Sequence, residues 1–199
     1  MPETITVSDF GFRPHLLACT SHDGSLASTY QLISTIVVCD NTLSAALMES
    51  TPKYKVRHSK NSIGKLQSVR DALGIVHQFT NDLSAEISRL SMQEVTDRQF
   101  REIVEHLVPL DLSLDVRPQV KSRVENKREL LYHLYKSDPM IAPWEGTGLG
   151  VLQCWNTYLH HHAGSDKSRV ERNMLNGLNG KTADADRQVL SLLNGLVGV

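Results

Sequence analysis

The strongest constraint on this chain is a run of apolar residues at helical spacing. Leu66, Val69, Leu73, Val76, Leu83, Ile87 and Leu90 recur every three or four residues, interrupted only at Thr80. That period puts them on one stripe of an α-helix, so a single helix of about 27 residues is predicted after residue 62. Helical signals continue downstream. Thr96 with Gln99 spells a capping box ahead of Phe100, Ile103, Val104 and Leu107, and Pro109 closes that helix. Pro118 suits a first helical position, with Val120, Val124, Leu131, Leu134 and Tyr135 following on one side. "GLGVLQCWNTYLHHHAG" reads as helix as far as Gly164. Two more helices are predicted near residues 167–176 and 182–195, the second capped by Thr182.

The N-terminal third has a different character. "HLLACTS" runs into Asp23–Gly24, a dipeptide that supplies the positive φ angles of tight hairpin turns. "SLASTYQLISTIVVC" is rich in Thr, Ile, Val and Tyr, which suit a pleated surface. Residues 14–21 and 26–39 are therefore expected to pair as an antiparallel hairpin, with "STIVVC" buried on both faces. Asn41 and Thr42 are placed to cap a following helix, and "KYKVRHS" at 53–59 alternates like another strand. The order of elements, β first and then mostly α, argues an α+β class. It consists of a hairpin-containing sheet over residues 1–62 and a helical portion over 63–199, packed as one domain.

The 199 residues carry a net charge of −1, so no bulk charge advertises a nucleic-acid or membrane partner, and any such surface must be local. No run of apolar residues is long enough to span a bilayer, and the N-terminus lacks a basic start followed by an apolar stretch. Cys19, Cys39 and Cys154 are odd in number and widely spaced, which reads as reduced thiols in a cytoplasmic protein. Cys19 and Cys39, in strand-like runs, read as small core residues.

Two stretches carry a resemblance. "SHDGSLASTYQLISTIVVCDNTLSAAL" followed by "KYKVRHS" resembles the phage/plasmid-like family catalogued as domain of unknown function 932. The residues that carry it are Ser21, His22, Asp23, Gly24 and Ser25, then Val38, Cys39, Asn41, Thr42 and Leu43, then Val56, Arg57, His58 and Ser59. A second patch, "GTGLGVLQCWNTYLHHHAG", agrees at Gly146, Thr147, Gly150, Tyr158, His162 and Ala163. Where the family has Trp, Asn and Glu, this chain has Leu149, Gln153 and Thr157, and a His replaces the family's Asp. That departure removes the carboxylates from the patch. The resemblance implies a mobile-element origin, a cytoplasmic location and a chain shorter than its relatives at the N-terminus. It implies no activity.

The chemistry-bearing residues sort into few candidates. Asp23 and Gly24 set a turn that His22 caps, and an enzyme using His22 and Asp23 is the weaker alternative. His160, His161 and His162 point about 100° apart on a helix and cannot converge on one metal. No phosphate-binding loop, dinucleotide fingerprint or nucleophile elbow occurs, so no catalytic residue, metal or cofactor is assigned.

The basic segments are more suggestive. Lys53, Lys55, Arg57 and Lys60 have no acidic neighbour between residues 51 and 70, and Tyr54 and His58 are interleaved to stack on bases. In a strand the alternating cations share one face and can track a phosphate backbone. Arg117, Lys121, Arg123, Lys127, Arg128 and Lys136 form a second cluster, partly offset by Glu125 and Glu129. The expected function is binding or annealing of single-stranded nucleic acid. The rival is a protein-interaction factor aimed at a host protein, such as an inhibitor of a defence system, using the stripe of residues 66–90 as a docking face. No membrane partner is expected, and self-association into a homo-oligomer is left open.

Overall fold

Apolar residues at helical spacing do build the described core. The computed structural model describes residues 4–7, 10–19, 28–36, 42–44, 54–56, 82–110 and 116–197. Residues 82–92 (α1) are helical, and Leu83, Ile87 and Leu90 on one stripe are fully buried. The remainder of the predicted long helix lies outside the described residues.

By contact density the chain divides into two compact units, Met1–Ser88 with Met174–Asp184, and Arg89–Asn173 with Ala185–Val199. In the second unit α2 spans Asp97–Leu107, opened by the predicted capping box. Thr96 Oγ1 accepts from the Gln99 backbone N–H at 3.3 Å, and Gln99 Oε1 accepts from the Thr96 N–H at 2.9 Å. Phe100, Ile103 and Val104 are its buried face. Helix α3, Pro118–Ser137, starts with proline in its first turn as expected and buries Leu131, Leu134 and Tyr135. Phe100 stacks on Tyr135 with ring centroids 3.8 Å apart and meets Tyr132 edge-on at 5.9 Å.

A 3₁₀ turn, Ala142–Trp144, leads into α4, Gly148–Thr157, every residue of which is buried. Gly150 is required there. A Cβ at that position would land on the Trp144 carbonyl, with the carbonyl carbon only 2.8 Å away. Helix α4 runs on into a π-helical turn, Tyr158–His162, closed by Gly164 at φ 70°. Helices α5, Arg169–Asn179, and α6, Lys181–Val197, follow. Thr182 lies inside the first turn of α6, which begins at Lys181, and so is not its cap.

The expected α+β class does not hold. Among the residues whose burial is described, the chain is mostly helical, and the buried residues lie in helices and their connections. Among the described residues from 82 to 197, the β interaction is an isolated bridge, Glu94 with Thr147. Among the described residues, ladder pairing involves five N-terminal backbone segments: β1 Ile5–Val7, β2 Phe10–Cys19, β3 Ser28–Ile36, β4 Thr42–Ser44 and β5 Tyr54–Val56. All pairs are antiparallel; β2 meets β3 from Phe12–Ile36 to Cys19–Thr29, and β3 also pairs with β4 and β5. Turn chemistry and β-branched residues report a local preference for pairing. They do not report which layer supplies the buried volume, and the described core comes from helices.

Thr42 is also corrected. It pairs with Thr35 in the β3–β4 ladder and so does not cap a helix. A β-branched residue suits the pleated ladder in which Thr42 stands. Asn41, His22, Asp23 and Gly24 lie outside the described residues, as does Cys39.

Candidate nucleic-acid interface

Of the expected N-terminal binding strip, Tyr54 and Lys55 belong to β5, whose register sets Tyr54 opposite Tyr30 and Lys55 opposite Thr29. Lys53, Arg57, His58 and Lys60 lie outside the described residues. The second basic cluster, on α3, is described with its side chains, and the fold divides it.

Two of its six cations are committed elsewhere. Arg128 donates from Nε and Nη2 to the Val108 carbonyl at 3.0 and 2.9 Å, satisfying an acceptor at the end of α2. Lys136 donates to Asp97 Oδ1 at 2.7 Å and also to Glu145, and both carboxylates hold its ammonium above the usual lysine range. Lys121 faces Glu125 at 3.9 Å in an exposed pair one helical turn apart. Arg117 and Arg123 are exposed and meet no carboxylate among the described residues.

Lys127 is different again. Trp155 and Tyr158 are three residues apart on the α4–π-turn segment, which brings their rings into a stack with centroids 5.7 Å apart and an angle of 22°. The Lys127 Nζ sits 5.1 Å from the Trp155 centroid and 4.8 Å from that of Tyr158. Partial burial against these rings pushes its pKa below the usual lysine value, while the negative ring faces hold the cation there. Trp155 is buried and Tyr158 half-buried, so Tyr158 is the member of the stack with a solvent-reachable edge.

On the opposite face of this segment, by helical spacing, runs a polar seam. Gln153, Asn156 and Thr157 are buried, and His160 continues the same face at helical spacing. Neither amide atom of Asn156 meets a partner among the described residues. His160 is held neutral: burial first, then the nearby His161 and Arg172, lower its pKa to about 4. The carbonyls of the π-turn are clamped from α5, with Arg172 Nη2 donating to Leu159 O at 3.3 Å and Asn173 Nδ2 to His160 O at 3.0 Å. Among the described residues no group of three or more His, Cys, Asp or Glu side chains is placed to hold a metal ion. An open depression of roughly 410 Å³ lined by Glu105, His106, Pro109, Leu110 and Arg128 offers little chemistry. Its Arg128 is spent on Val108, and its His106 ring is spent on the Glu102 carbonyl at 2.8 Å.

A family model matches residues 1–186, almost the whole chain. The protein belongs to the family described as Domain of unknown function (DUF932). No curated protein and no solved structure matches it. In this DUF932 chain Gln153 and Thr157 stand where the resemblance put Asn and Glu, and both are buried beside Asn156. The side chains of the seam are thus neutral at pH 7, with Arg172 and Asn173 of α5 against its His160 end. Sequence reading missed Trp155 as a partner of Lys127. The three-residue spacing of Trp155 and Tyr158 signals a stack, but nothing local ties a lysine on α3 to it. Among the described residues no helix is long and apolar enough to cross a membrane.

Proposed function

We propose that this DUF932 protein binds nucleic acid as a single strand. The observation that carries the reading is the Lys127 ammonium seated over the stacked Trp155–Tyr158 pair, one helical turn from the exposed Arg123. A cation beside an aromatic face is the arrangement that lets a protein hold a phosphate and stack the adjoining base. Arg117, Lys121 and Arg123 extend the positive charge along the exposed part of α3. The strip of Lys53, Tyr54, Lys55, Arg57, His58 and Lys60 is proposed separately as a second contact surface of the same kind, on the strength of its alternating cations.

Fluorescence anisotropy of a labelled single strand at several salt concentrations tests both. Each phosphate contact removed should flatten the log–log salt dependence by about 0.7 for a single strand. Arg123→Ala with Lys127→Ala, and separately Lys53→Ala with Lys55→Ala and Arg57→Ala, should each weaken binding without changing sequence preference. If the wild type binds no single strand even at low salt, the reading falls. The rival, a protein-interaction factor, is favoured by α5, where Val170 and Met174, one turn apart, are 84% and 57% exposed. Binding of a host protein that Val170→Ser with Met174→Ser abolishes would favour it.

A further inference from the structure

We infer that the exposed half of α3 enters the major groove of a duplex, so that the ligand is a duplex adjoining a single strand; this rests on the single-strand reading above. The inference starts from the shape of the segment. From Arg117 to Asn126 every residue is exposed except Val124, which is half-buried, although the helix continues into the core at Leu131. The exposed stretch Pro118–Asn126 is nine residues. At a rise of about 1.5 Å per residue it is long enough to cross a groove about 12 Å wide, and a helix about 10–12 Å across fits its width.

The side chains on it suit that groove better than other partners. Gln119, Ser122, Arg123 and Asn126 fall at successive three- and four-residue steps and so share one face. These are the types that read base edges: Gln and Asn pair with adenine, Arg with guanine, and Ser with either. A helix docking into a protein groove would instead show an apolar stripe, and here only Val120 and Val124 are apolar, on another face. Charge favours the same partner. Between residues 117 and 127 stand Arg117, Lys121, Arg123 and Lys127 against the single acid Glu125. Lys127 then joins the two sites, because it lies at the end of the exposed stretch and over the Trp155–Tyr158 stack.

The test compares three labelled probes on the full chain: a single strand, a blunt duplex and a duplex with a single-stranded overhang. The overhang duplex should bind at least ten-fold more tightly than either simple probe. Gln119→Ala with Asn126→Ala should remove about ten-fold per lost base contact from the overhang duplex and leave the single strand unchanged. Both replacements put a better helix former at an exposed helical position, so far-ultraviolet circular dichroism should show the helix intact. An overhang duplex that binds no more tightly than the single strand overturns this inference and leaves the single-strand reading standing. Blunt and overhang duplexes of equal affinity overturn it too, and loss of all binding at low salt fells both readings together.

Discussion

Acidification should unfasten the π-turn through His160. Its ring is neutral at pH 7 because burial and the neighbouring His161 and Arg172 oppose a second positive charge there. A histidine whose folded pKa is lowered contributes full stability above its unfolded value, near 6.5, and loses it as pH falls toward the folded value, here about 4. The full interval is worth roughly 3 kcal/mol, and about 2.5 kcal/mol of that is lost by pH 4.5. Solvent reaching the half-buried ring makes these upper figures. The loss is nevertheless large beside a typical stability of about 5–15 kcal/mol.

Urea unfolding at pH 7.5, 6.5, 5.5 and 4.5, wild type against His160→Gln, isolates this group because all other titrations are shared. The substitution keeps the His160 backbone carbonyl that accepts from Asn173, so the clamp on the turn is otherwise retained. Relative to the variant, the wild type should lose stability progressively below pH 6.5. A stability difference that is the same at all four pH values would refute the argument.

Three further outcomes are expected. Gly150→Ala should cost about 3 kcal/mol or be rejected outright, because the new methyl meets the Trp144 backbone carbonyl, which cannot swing aside; chemical denaturation reads this directly. Thr96→Ala should cost about 1 kcal/mol by leaving the Gln99 N–H without its cap, seen as a lower urea midpoint at unchanged slope. Cys154 should resist thiol reagents until the protein unfolds, since it is buried, donates to the Leu131 carbonyl at 3.3 Å and has its pKa raised by burial; native labelling as fast as in denaturant would contradict this.

Much of the helical part was legible because its signals are local. The Thr96–Gln99 box, Pro118 at the start of α3 and Gly164 at the end of the π-turn each act within one helical turn, and each stands where its chemistry directs. The fold class was misjudged because pairing propensity in "SLASTYQLIST" is local too, whereas the buried volume depends on which elements meet. Val120 and Val124 illustrate the same limit. Helical spacing aligns them with Leu131 and Leu134, yet Val120 is 44% exposed, because a helical stripe shows which residues are aligned and not how far along the helix its neighbours reach.

The basic cluster on α3 carries this argument furthest. In the sequence its six cations are equivalent members of a charged run. In the fold they have different duties: Arg128 closes the end of α2, Lys136 bridges Asp97 and Glu145, and Lys127 rests on two aromatic rings. Arg117, Lys121 and Arg123 are exposed with no partner on another element among the described residues, and Lys121 shares its charge with Glu125. A nucleic-acid surface must therefore be sought at the N-terminal half of α3 and not along its whole length. Replacing Arg128 would weaken binding, if at all, through the fold, because removing it strips the Val108 carbonyl of its partner. Replacing Arg123 removes a charge with no such partner among the described residues, so a loss of binding with the fold intact belongs to the ligand.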